Sequence, residues 1–506
     1  MALVISDHPD EDVDFYVPSG TDATPAIQEA LQVSKIYGVA HIIIRGTITV
    51  VAPSNGDVPI VLDHDIDYLF EGDGLGEIDY VQTPGYNAGT MLVLSGNWPI
   101  QEDYQNMSTN SGVISPALAT YSTNGFFIGF KNLRLNNYTN QRWMIAWGWS
   151  GIHSIVAFWD SVEFVYGANI WINETSMAVV YNCYSQSELL FDSQSREVIV
   201  LGSRFEGHGT FAVSSRGWSV IGCTFLAGAV LNPGNDGNNG NVIGCVFDGG
   251  SIVTQGAQNL KIVACTFQNV TFPPAEYSGV ISYNYGGRMS IIGCTFYGFT
   301  IYTTDNKSAD NGVATSVFTF AFNTFTYSSI NIQVNDQPAY PIRSVVIVGN
   351  SFVSSMVFIY AWNGGQIPEF NNKVSILLVG FNTFQNSGSG VAYGVWVGPV
   401  NNNNYRLRAW GYINAAVTID YAYFIGNYFM WNNGYHNNGD VKPVGIFNLM
   451  QMSSNIQLIK SLNFYMNVNE PNPDNPSEFN SIYLPQGQTI NAQFNIGISD
   501  SNIVYT

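Results

Sequence analysis

The chain has 506 residues, of which 46% are hydrophobic and only 11% are charged. A sequence this apolar can bury a large core and is not intrinsically disordered. Asp and Glu number 37 against 17 Lys and Arg, a net charge of −20 at pH 7. This charge repels nucleic acid and anionic lipid, so neither is an expected partner. Because protonated carboxylates are uncharged and bases are few, the composition suits an acidic extracellular medium.

Neither a membrane span nor an export signal is visible. No apolar run reaches the roughly 18–20 residues that cross a bilayer, so membrane insertion is not expected. The first 14 residues are acidic and lack the basic-then-apolar pattern of a signal peptide. An extracellular type of surface without that pattern fits a virion protein, which leaves the cell with the particle. An unusual secretion route or heterologous expression of a mature form would also fit.

A capped amphipathic helix is predicted near the N-terminus. Thr24 is a favourable N-cap, Pro25 suits the first helical position, and Gly38 suits the C-terminal stop. Residues at helical spacing form one face, namely Ile27, Ala30, Leu31 and Ser34.

Residues 14–80 resemble the opening of the pectate-lyase-like superfamily of right-handed parallel β-helices, which includes many virus tailspikes. The resemblance is carried by the helical segment Gly20–Leu31 and by the segments Ile42–Val50 and Leu69–Gly76. It implies an all-β solenoid whose N-terminal end is closed by an α-helical cap, since an open end is an exposed sheet edge. It does not imply an activity, because this fold hosts lyases, hydrolases, isomerases and inert fibres.

Carboxylates are dense between residues 63 and 79. Alternation along a strand places Asp63, Asp65 and Asp67 on one face, where they could hold a calcium ion. A solvated strand face is the favoured alternative, and no EF-hand spacing is present. We therefore expect no cofactor.

Five of the eleven tryptophans lie between residues 143 and 171. Trp143, Trp147 and Trp149 are candidates for a carbohydrate-binding platform, because exposed aromatic rings stack on sugar rings. The alternative is stacking in the interior or at a subunit interface, where tryptophan is also enriched.

A recurring Cys-x-Phe pattern indicates stacked coils. Cysteine occupies the first position at residues 183, 223, 245, 265 and 294, serine at 203, and asparagine at 323, 350, 382 and 427, and only the copy at 183 lacks the phenylalanine. A period of roughly 20–30 residues, with short β-branched runs and no helical period, indicates a β-solenoid with coils about 4.8 Å apart. The recurring Cys, Ser and Asn residues should stack as an internal ladder, continued upstream by Asp160 with Val162, and the Phe should point inward. At this spacing disulfides are poorly placed, so we expect five reduced, buried thiols.

A column of outward-pointing side chains follows three residues after the ladder position. It holds Glu163, Glu206 and Asp248, which are the candidate catalytic residues. Glu206 and Asp248 are two coils apart, about 9.6 Å, at the upper edge of the range for inverting glycoside hydrolases. The alternative is a solvated surface column.

The sequence thus predicts three segments: an arm and capping helix over 1–40, a parallel β-helix over 41–460, and a C-terminal cap or oligomerisation segment over 461–506. The functional hypothesis is a spike or fibre on the virion surface that binds host surface glycans. We expect a homotrimer that contacts other virion proteins, on a virus from an acidic, hot environment. The alternatives are an extracellular polysaccharide lyase or glycoside hydrolase of the same superfamily and a cell-surface structural protein.

Overall fold

The structure is a computed structural model. It describes residues 2–10, 12–63, 66–94, 126–139, 141–147, 155–173, 175–192, 195–234, 239–254, 259–268, 280–283, 287–304, 316–335, 342–353, 355–362, 373–386, 395–397, 418–431, 447–449, 457–461, 464–467, 482–483, 496–499 and 502–505. The chain forms two compact units, Met1–Gly240 and Asn241–Thr506.

The first unit is built from short strands that pair in parallel with strands of neighbouring coils. Thr175–Tyr181, for example, pairs with Ile155–Asp160 on one side and with Glu197–Leu201 on the other. Its main sheet contains Ala2–Ser6, Phe15–Tyr16, Val39–Arg45, Thr47–Val51, Asp67–Val81, Phe126–Tyr138, Ile155–Asp160, Glu163–Val165, Thr175–Tyr181, Tyr184–Ser185, Glu197–Leu201, Arg204–Phe205, Gly217–Ile221 and Thr224–Leu226. Its second sheet contains Ile60–Leu62, Leu92–Leu94, Ile145–Trp147, Ile170–Ile172, Glu188–Phe191, Thr210–Val213 and Val230–Pro233.

The second unit repeats this plan. Its main sheet contains Gly240–Ile243, which begins at the last residue of the first unit, and Val246–Asp248, Asn259–Val263, Thr266–Gln268, Arg288–Ile292, Thr295–Tyr297, Val317–Ala321, Thr324–Thr326, Ile342–Val348, Ser351–Val353, Lys373–Gly380, Thr383–Asn386, Thr418–Ile425, Tyr428–Trp431, Gln457–Ser461, Phe464–Asn467, Ile496–Ser499 and Asn502–Tyr505. Its second sheet contains Ser251–Thr254, Val280–Tyr283, Thr300–Thr304, Ser329–Asn335, Met356–Trp362, Val395–Val397, Phe447–Leu449 and Ile482–Tyr483. Parallel pairing extends to Ile496–Ser499, and the last pair, with Asn502–Tyr505, is antiparallel. The three predicted segment boundaries stay predictions.

Both units therefore have the parallel β-helix architecture that the resemblance to the pectate-lyase-like superfamily implies. Strand after strand pairs in parallel with the next coil, which requires the chain to travel around the solenoid between partners. The all-β class predicted from the sequence is confirmed.

One helix, α1, spans Thr24–Lys35. Its N-cap is Ala23, and Asp22 Oδ1 accepts hydrogen bonds from the Thr24 amide at 3.0 Å and the Thr24 hydroxyl at 2.6 Å. The prediction of Thr24 as N-cap is therefore wrong, because the aspartate two residues earlier supplies the acceptor. The predicted face is confirmed, since the buried residues of α1 are Thr24, Ile27, Ala30, Leu31 and Ser34. Nothing helical in the described ranges has the length and apolar content of a membrane span.

The ladder consists of hydrogen bonds from each backbone amide to the side chain one coil further on. In the second unit the Cys265 amide donates to Cys294 Sγ at 3.4 Å, and the Cys294 amide donates to Asn323 Oδ1 at 2.8 Å. In the first unit the Cys183 amide donates to Ser203 Oγ at 3.1 Å. All five cysteines are buried thiols that form no disulfide, as predicted. Burial raises the pKa of the Cys183 thiol to about 12.

The phenylalanines of the repeat form an internal stack, as predicted. In the second unit their rings lie 4.6–4.8 Å apart and nearly parallel, in the order Phe247, Phe267, Phe296, Phe325, Phe352 and Phe384. This distance is the spacing of neighbouring strands, so each ring covers the one below it.

Candidate functional site

The predicted tryptophan platform is not exposed. Trp147 is 1% exposed, and its ring stacks on Trp159 at 5.9 Å between centroids. Trp143 is 7% exposed and packs with Ala146 and Trp171. Trp149 lies outside the described residues. The alternative of interior packing therefore holds for Trp143 and Trp147, because all three residues of Ile145–Trp147 are buried.

The predicted carboxylate column is offset in one coil. Glu163 is in register with Tyr184, and Tyr184 is in register with Arg204. Glu206 follows two residues after Arg204, so Glu163 and Glu206 belong to different columns. The reason is that the buried Val162, rather than Asp160, occupies the ladder position, and it aligns with Cys183. Asp248 lies in the second unit, in register with Gln268.

Glu206 is held by hydrogen bonds from its neighbours. The Tyr184 hydroxyl donates to Glu206 Oε2 at 3.2 Å, and Arg204 Nη2 donates to the same oxygen at 3.3 Å. Gln186 Nε2 donates to the Tyr184 hydroxyl at 2.7 Å. Desolvation raises the pKa of Tyr184, and the charge of Glu206 adds to this effect. Glu206 is thus arranged as a hydrogen-bond acceptor.

Two carboxylates that the fold holds close together are Glu77 and Asp79. Both lie beside Asn136, whose Nδ2 donates to Glu77 Oε1 at 2.6 Å and to Asp79 Oδ1 at 2.7 Å. These two bonds limit the separation of the two carboxylate oxygens to about 5.3 Å. The Thr47 hydroxyl donates to Glu77 Oε2 at 3.1 Å. This upper limit places the two carboxylates close together, as the paired carboxyl groups of retaining rather than inverting glycoside hydrolases are.

The pKa of Asp79 depends on burial and on the amide that it shares with Glu77. Burial raises the pKa of Asp79, the bond from Asn136 lowers it, and the charge of Glu77 raises it. Asn136 is fully buried, and its Oδ1 has no hydrogen-bond partner among the residues that the structure describes. The net effect on Asp79 is a raised pKa, so burial favours its protonated form.

An ion pair between Arg134 and Glu163 lies on the two strands that follow the strand of Glu77 in the sheet. Arg134 is in register with both Glu77 and Glu163, and its Nε donates to Glu163 Oε2 at 2.8 Å. This bond raises the pKa of Arg134 above its ordinary value. We refer to Glu77, Asp79, Arg134, Asn136 and Glu163 as the acidic site.

Two exposed tyrosines accompany the acidic site. Tyr138 is 51% exposed and Tyr166 is 66% exposed, and their rings stack at 5.4 Å between centroids. Tyr166 has a φ of 47°, a left-handed conformation that bulky residues rarely adopt. Desolvation raises the pKa of Tyr138, and the charge of Asp79 adds to this effect. We refer to these two residues as the tyrosine pair.

Sequence reasoning found Glu163 but not the rest of the acidic site. The available signal was alternation, which turns Glu77 and Asp79 to one side of a predicted strand. Their partner Asn136 lies more than 50 positions further on, beyond the reach of that pattern.

The carboxylates proposed for calcium have other partners. Asp63 pairs with Lys35 Nζ at 2.5 Å, and Asp67 Oδ1 accepts a hydrogen bond from the Phe127 amide at 2.8 Å. Asp65 lies outside the described residues. Within the described ranges, no three His, Cys, Asp or Glu residues are grouped as metal ligands. The absence of a cofactor stays a prediction.

The chain matches no protein-family model and no curated protein. Among solved structures it is similar to tailspike protein 3 of bacteriophage CBA120, with 13% identity and a TM-score of 0.35. That similarity covers 94% of this chain, which spans 59% of the length of the tailspike chain. It is also similar to the A-module of a mannuronan C-5 epimerase of Azotobacter vinelandii, with 12% identity and a TM-score of 0.33. That similarity covers 89% of this chain and 96% of the module.

Proposed function

We propose that the protein binds glycans through the outward face of its first unit, at the acidic site and the tyrosine pair. The observation that carries this proposal is the stacked, exposed pair of Tyr138 and Tyr166 beside hydrogen-bonded carboxylate, amide and guanidinium groups. Aromatic faces stack on the apolar faces of sugar rings. The neighbouring polar groups fix the orientation of a ligand by exchanging hydrogen bonds with its hydroxyls.

The charge of the acidic site narrows the class of glycan. Three carboxylates surround a single guanidinium, so the site is net negative when all of them are ionised. A chain of uronic acids would add further negative charge and be repelled. Neutral glycans and glycans that carry amino groups are therefore the favoured ligands.

The test is calorimetric titration with a panel of neutral, amino-bearing and acidic oligosaccharides. Tyr138→Ala should weaken binding of the neutral or amino-bearing ligand at least tenfold, because one face of the tyrosine pair is lost. Tyr181→Ala is the matched control, since Tyr181 is 48% exposed in the same unit and lies outside both groups. An equal loss in the two variants, or no loss in either, would contradict the proposal.

We propose that this binding serves attachment of a virus to its host. The protein would be a spike or fibre on the virion surface, assembled as a homotrimer of 55.5 kDa chains beside other virion proteins. The resemblance of residues 14–80 to a superfamily that includes virus tailspikes supports this role. Mass spectrometry of purified particles tests the location, and sedimentation equilibrium tests the trimer. Absence of the protein from particles would refute the attachment role. A hot habitat has no support here and is not part of the proposal.

We also propose that the coils are right-handed and that α1 is the N-terminal cap of the solenoid. Parallel strands joined by a crossover are right-handed in about 98% of cases. The apolar face of α1 lies against Ala2–Ser6, Val39–Arg45 and Thr47–Val51. Ile27→Asp should promote self-association by loosening the cap, whereas Glu29→Ala, on the exposed side, should not. An experimental density map would determine the hand directly.

Glycoside hydrolysis at the acidic site is a second candidate function. It is supported by the shared amide that holds Glu77 and Asp79 close together, and by the raised pKa of Asp79. Asp79 would protonate the leaving oxygen while Glu77 attacks the anomeric carbon and the glycosidic bond breaks. Water, deprotonated by Asp79, would then displace Glu77 and release the sugar, as in a retaining mechanism. Release of reducing sugar by the wild type, and its loss in both Glu77→Gln and Asp79→Asn, would establish hydrolysis. Binding without release would establish a binding protein.

A further inference from the structure

Two exposed phenylalanines lie at a backbone position that favours glycine. In the second unit the residue before the ladder position has a positive φ in seven coils: Gly244, Ala264, Gly293, Phe322, Gly349, Phe381 and Gly426. The φ values of Phe322 and Phe381 are 57° and 54°, and their side chains are 68% and 66% exposed. A bulky residue is disfavoured in this conformation, and burial of the ring does not compensate for it. Strained, exposed residues of this kind indicate a functional constraint.

Each ring lies over the glycine of the following coil. A Cβ atom at Gly349 would lie 2.7 Å from two ring carbons of Phe322, and one at Gly426 would lie 2.7 Å from two ring carbons of Phe381. Phenylalanine and glycine therefore alternate from coil to coil. The two phenylalanines are two coils apart, which is about 9.6 Å at the spacing of neighbouring strands.

Beside these rings runs a straight column of hydroxyl groups. Its members are paired in register on consecutive coils, in the order Thr266, Thr295, Thr324, Ser351 and Thr383. In the described part of the chain, none of these five hydroxyls has a hydrogen-bond partner. Two further exposed aromatic residues, Tyr297 and Tyr327, lie across the same short strands, with ring centroids 5.9 Å apart. We call the column and its flanking aromatic residues the hydroxyl face.

The hydroxyl face carries no charge along its described length. The second outward position of the same strands holds Gln268, Tyr297, Thr326, Val353 and Gln385. A charged ligand therefore finds no counter-ion there, whereas a ligand with many hydroxyl groups finds unpaired hydrogen-bonding groups at regular spacing. The flanking rings offer apolar faces at an interval of two coils.

We propose that the hydroxyl face binds a neutral, linear polysaccharide that lies along the stack of coils. Phe322 and Phe381 stack on two of its sugar rings, and the hydroxyl column exchanges hydrogen bonds with the sugars between them. This site belongs to the second unit and shares no residue with the acidic site. It therefore does not rest on the function proposed for the first unit.

The test uses glycine in place of the two phenylalanines. Because Gly293, Gly349 and Gly426 already occupy the equivalent position, Phe322→Gly and Phe381→Gly are compatible with the backbone. The full chain is titrated with cellohexaose, mannohexaose and hexagalacturonate. We expect the wild type to bind at least one neutral hexaose but not the galacturonate. We expect the double variant to bind that hexaose at least tenfold more weakly, with its Tm unchanged or raised.

Further variants separate the proposal from its alternatives. Thr324→Val keeps the shape of the side chain but removes one hydroxyl, and it should weaken the same binding severalfold, whereas Tyr181→Ala should not. A loss confined to Tyr138→Ala would place the binding at the acidic site and overturn the proposal. Failure of the wild type to bind any neutral hexaose would also overturn it, as would equal binding by the wild type and the double variant. Dissociation of an oligomer by the double variant would instead identify the face as a contact between copies of the chain.

Discussion

Replacement of Asn136 by leucine tests the electrostatics of the acidic site. Leucine has a similar size and shape but cannot donate hydrogen bonds. The substitution therefore leaves Glu77 with the bond from Thr47, and it removes the bond to Asp79. It also removes the Asn136 Oδ1 atom, which is buried without a hydrogen-bond partner among the described residues.

The expected loss of stability follows from the two hydrogen bonds that are removed and the unpaired oxygen that goes with them. Two hydrogen bonds to charged carboxylates contribute about 3–6 kcal/mol to the free energy of unfolding at most. Removal of one buried, unpaired oxygen returns about 1–3 kcal/mol. Because water reaches both carboxylates, the bonds are worth less than this maximum. We expect the variant to be less stable by about 1–3 kcal/mol at pH 7.

The loss should depend on pH. Burial raises the pKa of Asp79 above its ordinary value of 3.8, and the bond from Asn136 lowers it. Without that bond the pKa of Asp79 rises further. An acid whose pKa is higher in the folded state holds its proton more tightly there, so the free energy of unfolding falls as the pH rises through that pKa. The variant should therefore approach the stability of the wild type at about pH 3 and show the full deficit at pH 7.

Urea unfolding followed by tryptophan fluorescence measures this difference, since Trp147 and Trp159 are buried in the same unit. The control is the same substitution in an Asp79→Asn background, where most of the pH dependence should disappear. A deficit of equal size at pH 3 and pH 7, or a larger one in acid, would refute the reasoning.

Three further predictions concern the ladder, the thiols and the carboxylates that the sequence analysis gave as catalytic candidates. Asn350→Ala removes the acceptor of the Asn323 amide and the donor to the Phe320 carbonyl, and should cost about 3–5 kcal/mol in thermal unfolding. Asn350→Cys should cost less than half of this, because a thiol fills the same position in other coils; equal costs would contradict the ladder. A thiol reagent should find almost no reactive group in the native protein and five after denaturation without reductant; fewer than five would reveal a disulfide. Glu206→Gln and Asp248→Asn should leave any release of sugar unchanged, and a reduction in either variant would support its role in catalysis.

The stacked architecture could be predicted because Cys, Ser or Asn recurs at the same position of successive coils. Most coils carry Cys, Ser or Asn at the ladder position, and the phenylalanines two residues later stack from Phe247 to Phe384 in the described part of the second unit. The period of these residues therefore fixes both the fold class and the direction of the inward side chains.

The predicted register is wrong in the coil that lacks one of these residues at the ladder position. The coil before Cys183 has neither Cys, Ser nor Asn at the ladder position, and Val162 rather than Asp160 aligns with the cysteine. A shift of two residues keeps every side chain on the same side of the sheet, so alternation cannot detect it. Ser161, with a φ of 56°, forms the turn between the two candidates.

The acidic site could not be predicted for a related reason. Glu77 and Asn136 are 59 positions apart, far outside the repeat period of the ladder. The burial of the candidate tryptophans could not be predicted either. Ile145–Trp147 is buried on both faces, and its sequence does not distinguish such a strand from one with an exposed face.

The ladder keeps the core regular even though the segments that connect successive coils differ in length. In the second unit, the ladder residues from Cys245 to Asn382 are 20 to 32 positions apart, yet the rings stacked beside them keep a spacing of 4.6–4.8 Å. Each doubling of a connecting loop adds only about 0.6 kcal/mol of closure entropy. Insertions and exchanges between coils are therefore nearly neutral for folding. Such a chain can acquire new surface segments by recombination while the coils that carry them stay unaltered.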